Sequence, residues 1–132
     1  MRTRSLEDIV LDASAMVDLL TGQNTAERIR LRLQDTVLHV PAHFDAEVLS
    51  ALGRLCRAGQ LTDADVSELL TTLRRAPLAR HHLPGLVEGA WSRRNTQRLV
   101  DGLYVELAEQ LRAPLITTDS RLASGYPRAD VP

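Results

Sequence analysis

The apolar positions along this chain fall into two patterns. Ile9-Val10-Leu11 and Leu115-Ile116-Thr117 are short apolar runs without alternation, as expected of strands covered on both faces. Val37 to Val40, closed by Pro41, and Leu78 to Leu83 read as further strands. Between them the spacing changes to a helical one. Ala42 to Ala58 carries Phe44, Val48, Leu52 and Leu55 on one stripe, with Gly59 past its end. The segments beginning at Ala13, Thr25 to Leu33, Leu61-Thr62-Asp63 to Arg75, Pro84-Gly85 to Arg94 and Arg98 to Arg112 also read as helices. Strands that alternate with helices predict an α/β fold, a mainly parallel sheet with helices on both faces. In such folds the working crevice lies beyond the carboxyl ends of the strands.

Two strand-like runs deliver an aspartate at that end: Asp12 after Ile9-Val10-Leu11, and Asp119 after Leu115-Ile116-Thr117-Thr118. Either one alone is explained by a helix N-cap. Together, at ends that face one crevice, they point to a shared site. The helices add two more acids. Asp101 falls in line with Tyr104, Val105 and Ala108, on a stripe that otherwise reads as core, where a carboxylate is costly unless paired or metal-bound. Glu106 and Glu109 map off that stripe, as solvated charges. Glu47 sits on the margin of its helix's apolar stripe, three residues after Phe44. An exposed helical glutamate is the competing explanation there. Four inward carboxylates raise each other's pKa unless a cation joins them. An all-oxygen set selects a hard ion such as Mg²⁺.

Composition narrows the class. The 132 residues are 44% hydrophobic and 25% charged, which fits one globular domain, 1–132, and excludes disorder. No apolar run reaches the roughly 20 residues that cross a bilayer. Met1 to Ser5 run into Glu7-Asp8 without a secretory apolar stretch, and a single cysteine, Cys56, allows no internal disulfide. A cytoplasmic protein without a membrane partner is expected. The net charge is −1, so no global positive field attracts nucleic acid, and 3% aromatic content leaves few stacking platforms. Every basic residue is arginine, which suits bidentate phosphate contact. GC-rich coding explains the same bias. Arg93, Arg94 and Arg98, just before the helix of Asp101, are candidate RNA contacts or an ordinary solvated face.

Ile9-Val10-Leu11-Asp12-Ala13-Ser14-Ala15, Val40-Pro41 through Glu47-Val48-Leu49-Ser50-Ala51-Leu52, Leu99 to Ala108 around Asp101, and Pro114 to Leu122 around Asp119 resemble the successive motifs of PIN-domain nucleases. The short chain resembles the VapC-type toxins of bacterial toxin–antitoxin pairs. The likeness spans residues 8 to about 124. It implies a three-layer α/β/α sandwich and a Mg²⁺- or Mn²⁺-dependent endoribonuclease. It also implies a homodimer and inhibition by a cognate antitoxin protein. By position, Asp12, Glu47, Asp101 and Asp119 match the family's acidic quartet. Asp12 and Asp101 correspond to direct metal ligands, Glu47 and Asp119 to holders of metal-bound waters or a second ion. Asp119 is thus a third metal-site residue, and Ser14 or Thr118 would orient a water or a ligand.

Some residues fall outside the pattern. Asp45 and the pair His81-His82 match no motif, and adjacent histidines on a strand point to opposite faces, against joint ligation. Trp91 reads as core or interface, and the leucine-rich stretch 61–73 as a face for a dimer partner or an antitoxin segment. Cys56 reads as a small structural residue. Two other classes compete with the nuclease. A non-catalytic PIN-like scaffold that binds RNA or protein has no use for four clustered carboxylates. An aspartate-phosphorylated receiver or phosphatase lacks here both an Asp-x-Asp after the first strand and any lysine to pair an acyl phosphate.

Overall fold

A computed structural model describes residues 5–132; the N-terminal stretch read above lies largely outside them. Five parallel strands form one sheet in the order β3-β2-β1-β4-β5. They are β1 (Glu7–Leu11), β2 (Thr36–Pro41), β3 (Leu78–His81), β4 (Leu115–Ile116) and β5 (Ala129–Asp130). Among the described residues seven helices accompany them: α1 (Ala13–Leu20), α2 (Ala26–Leu33), α3 (Phe44–Arg57), α4 (Asp63–Arg75), α5 (Val87–Ser92), α6 (Leu99–Leu111) and α7 (Ser120–Ser124). The expected α/β sandwich is found, and the sheet is wholly rather than mainly parallel. β5 has no counterpart in the sequence reading. Ala129-Asp130 is too short and too polar to show strand periodicity, and is a strand only through its pairing with β4.

The apolar runs are buried as their lack of alternation requires. Ile9, Val10, Leu11, Leu115 and Ile116 are inaccessible to solvent. α6 lies over β1, β2 and β4 and packs on α5. Leu38 of β2 contributes to the other layer, in a cleft it shares with α1, α2 and α4. The close approach of α5 to α6 depends on glycine: a Cβ on Gly102 would stand 3.1 Å from the Ala90 backbone. α4 opens with a capping box, in which Thr62 accepts from the Asp65 N–H and Asp65 accepts from the Thr62 N–H. β3 ends at His81, two residues earlier than the sequence predicts, because its partner β2 ends at Pro41, which pairs with His81.

The strand order places the site. From β1 the chain steps outward to β2 and β3, then returns to the opposite side of β1 for β4. The order therefore reverses between β1 and β4, the position where open α/β sheets leave a crevice. Asp12 follows β1 and Thr117 to Asp119 follow β4. The two chain segments meet there through the Asp12 N–H, which donates to the Ile116 carbonyl at 2.9 Å.

Candidate active site

Asp12 occupies the N-cap position of α1, yet its side chain makes no cap hydrogen bond. Its carboxylate is turned instead to the crevice, where it is 6% exposed. Ser14 Oγ donates to Asp12 Oδ2 at 2.6 Å, and Thr117 Oγ1 donates to the same oxygen at 2.8 Å. Each hydroxyl is oriented in turn by a backbone donor: the Thr118 N–H gives to Ser14 Oγ, and the Asp119 N–H to Thr117 Oγ1. One carboxylate oxygen is thus saturated, and no hydrogen bond to Oδ1 forms among the described residues. Burial pushes the Asp12 carboxyl up to about 6; the two hydroxyls oppose that shift and the neighbouring Glu47 and Asp101 reinforce it. An anion this costly in isolation gains most from a cation.

The other three acids reach the same crevice from different elements. Asp101, in the first turn of α6, is 6% exposed, although the Arg98 side chain covers it. Arg98 Nε lies 2.9 Å from Asp101 Oδ2, and Nη2 lies 3.5 Å from Oδ1 and 3.9 Å from Asp119 Oδ2. Asp119 does act as an N-cap, since its Oδ1 accepts from the Arg121 and Leu122 N–H groups of α7. Its Oδ2 is left for the crevice. Glu47 of α3 is held by the Tyr104 hydroxyl, which donates to its Oε1 at 2.7 Å, with His43 Nε2 at 3.3 Å. Burial between Asp12 and Glu47 drives the Tyr104 pKa far upward, so it remains a donor. All four line one cleft of about 320 Å³, together with Ser14, Asp18, Arg54 and Arg98.

Several sequence readings need correction or addition. Thr117, which the sequence reading passed over, places its hydroxyl on Asp12, and Thr118 gives its backbone N–H to Ser14 Oγ. Asp18 and Arg54 lie in the cleft unforeseen, one turn beyond Ser14 and two turns beyond Glu47. Arg93 is not at the cleft: its guanidinium is bound to Glu106 and to the Gly89 carbonyl. Glu106 is accordingly not a solvated charge, since Gln110 holds it as well. Arg94 stacks on Trp91, 4.7 Å from the ring centre. Trp91 is 58% exposed, so it is not core. Asp45 forms a bidentate pair with Arg80, at 2.6 and 2.9 Å. His81 meets His39 rather than His82. Cys56 Sγ rests 3.3 Å from Asp63.

Among the described residues no three carboxylate or imidazole groups stand close enough to enclose a metal ion directly. The donor set nonetheless suits Mg²⁺ or Mn²⁺. Mg²⁺ is usually held through one or two carboxylates and keeps several waters. Asp12 offers a buried anionic oxygen without a donor, and a cation, the Arg98 guanidinium, already sits on Asp101.

An acidic cleft at the switch point of a parallel α/β/α sheet is the arrangement of the PIN domain, and the PIN-domain family matches residues 9–126. The chain belongs to that family. Ribonuclease VapC3 of Mycobacterium tuberculosis is 58% identical over 126 residues, covering 93% of this chain and 90% of that protein. In fold, the chain is similar to Mycobacterium tuberculosis VapC20, a sarcin-ricin loop cleaving toxin. That TM-score is 0.67, with 17% identity over 93% of this chain and 99% of the other. A toxin–antitoxin complex from Klebsiella pneumoniae aligns at TM-score 0.65 and 17% identity, over 93% of this chain and 96% of its own.

Proposed function

We propose that this protein is a metal-dependent endoribonuclease, the toxin of a toxin–antitoxin pair, acting in the cytoplasm as a single PIN-like domain. The observation that carries the reading is the arrival of Asp12, Glu47, Asp101 and Asp119, from four separate elements, in one cleft. Asp12 and Asp101 would hold Mg²⁺ or Mn²⁺, with Asp119 and Glu47 around it. When bound, the ion polarises the scissile phosphate and lowers the pKa of an attacking water. Ser14 and Thr117 keep Asp12 oriented and ionised by donating to one face of it. Tyr104 and His43 fix Glu47 at the cleft wall, where its carboxylate would hold a metal-bound water or a second ion. Arg54 and Arg98 flank the acids and are placed to meet RNA phosphates; Arg93 is engaged elsewhere.

The family membership and the 58% identity to a ribonuclease support the RNA substrate and the antitoxin partner. An antitoxin segment fits the apolar cleft that Met16, Leu19, Leu20, Leu38 and Leu69 line. The exposed strip of Val87, Trp91, Leu99 and Val100 supports a homodimer. The alternative is a non-catalytic RNA- or protein-binding scaffold, and the crowding of carboxylates speaks against it.

Induction of the wild-type and Asp12→Ala proteins in a bacterial host, with mapping of new RNA 5′ ends, tests the reading. New ends are expected with the wild type alone. Equal growth and no new ends from either protein would favour the scaffold.

A further inference from the structure

Arg98 differs from the other arginines near the cleft in what holds it. Arg93 is three-quarters buried and bound to Glu106 and a carbonyl. Arg54 bonds only the neutral Ser50 hydroxyl, at 3.0 Å. The Arg98 side chain is 58% exposed and bonds only site carboxylates, bidentate on Asp101 and within 3.9 Å of Asp119. Its backbone is the extended N-cap of α6. The side chain therefore leaves the helix before the first turn, and it is more than half exposed to solvent. The cleft holds five acids, Asp12, Asp18, Glu47, Asp101 and Asp119, against two guanidinium groups.

We propose that Arg98 is a resident counter-ion of the acidic site, which an incoming divalent cation displaces from Asp101 and which then turns to a phosphate of the substrate. The proposal rests on the metal-dependent reading above. Its logic is electrostatic. A guanidinium with N–H groups on both oxygens of Asp101 occupies the ground that a cation would take. A divalent ion on the same carboxylate would stand within a few ångströms of that positive charge, in a site partly shielded from water, where repulsion is strong. Both cannot stay. The arginine is the member free to move, because its side chain is 58% exposed while that of Asp101 is 9% exposed within the first turn of α6. Exchange keeps the crowded carboxylates partly neutralised before the metal arrives and delivers a free phosphate-binding fork afterwards. Arg98 on this account is a substrate-binding residue that also holds the metal-free site.

The test is Mn²⁺ binding to the full chain, read by the electron-spin-resonance signal of free Mn²⁺, for wild type, Arg98→Gln, Arg98→Lys and Asp101→Asn. Arg98→Gln should bind Mn²⁺ at least about threefold more tightly than wild type. Arg98→Lys, which keeps the charge but loses the fork, should gain less. In EDTA the Gln variant should melt below wild type, and saturating Mn²⁺ should close the gap. At saturating Mn²⁺ its KM for a single-stranded RNA should rise by a larger factor than its kcat falls. Mn²⁺ affinity unchanged or weakened in Arg98→Gln would overturn the proposal, as would a melting deficit that persists with metal. Absence of Mn²⁺ binding by wild type, or binding that Asp101→Asn leaves intact, would instead remove the metal site itself.

Discussion

Two clusters of ionisable side chains sit on the same sheet and are built on opposite terms. Along β1, β2 and β3, away from the switch point, charges and polar groups answer one another. Asp8 of β1 accepts His39 Nε2 at 2.9 Å, His39 Nδ1 meets His81 Nε2 at 2.9 Å, and Asp45 is clasped by Arg80. Each carboxylate there has its own cationic or N–H partner, and the imidazole pair needs only one shared proton to satisfy its contact. Burial and the neighbouring His39 push the His81 pKa down, which favours the neutral ring. At the switch point between β1 and β4 the balance fails: acids from four elements converge and two arginines stand against them. The difference marks which cluster has work to do beyond holding the fold. A structural cluster neutralises itself, and a site for an external cation does not.

The sharpest way to break that comparison is to remove one acid from each cluster. Asp101→Asn should lower RNA cleavage by at least about 1000-fold, or about 4 kcal/mol, by loss of a metal-holding oxygen. Asp45→Ala should leave cleavage unchanged. Initial rates on one RNA at saturating Mg²⁺ compare the two, and equal losses would erase the distinction.

The next largest effect concerns pH. Asp12 titrates at about 6 in the fold against an ordinary 3.8, so the folded state binds the proton more tightly than the unfolded chain. Its contribution therefore favours the metal-free fold at low pH and is lost as pH rises from about 4 through about 6. Over that window the loss amounts to about 3 kcal/mol. Denaturant melts in EDTA should show wild type losing stability across this range relative to Asp12→Asn. Parallel curves for the two proteins would place the buried charge elsewhere.

Glu106→Ala tests a contact between the helices, away from the cleft. Removing it leaves the partly buried Arg93 guanidinium without its carboxylate, at a cost of about 1–2 kcal/mol. The cleavage rate of the folded fraction should stay near wild type. A loss of kcat with full stability would tie Arg93 and Glu106 to the chemistry. The smallest effect is expected at Glu109, which is exposed one residue before Gln110. Glu109→Ala should change stability by less than about 0.5 kcal/mol and leave activity unaltered.

Much of the molecule was legible in the residues themselves. The unbroken apolar runs at Ile9-Val10-Leu11 and Leu115-Ile116 state their own burial, because a strand covered on both faces leaves no polar position to alternate. The aspartate at the end of each run and the aspartate on the core stripe of α6 declare a polar group where burial is costly. Helical spacing separated Asp101 from Glu109 correctly, since the 3.6-residue repeat is a local property of the backbone. Four acids in order along the chain already outlined the family.

What only the tertiary structure decided are the pairings between segments distant in sequence. Nothing local shows that Thr117 and Ser14, 103 residues apart, share one carboxylate oxygen of Asp12. Glu106 follows the same rule. Its helical phase points it off the Asp101 stripe, yet α5 lies on that side and brings Arg93 to it. β5 exists only because β4 offers an edge. Asp12 and Asp119 read alike as helix caps, and their difference emerges from the packing. Asp119 Oδ1 finds the free N–H groups of α7, while the hydroxyls of Ser14 and Thr117 draw Asp12 into the crevice. Periodicity reports which face of an element is buried, and the choice of partner across that face is made by the other segments that fold against it.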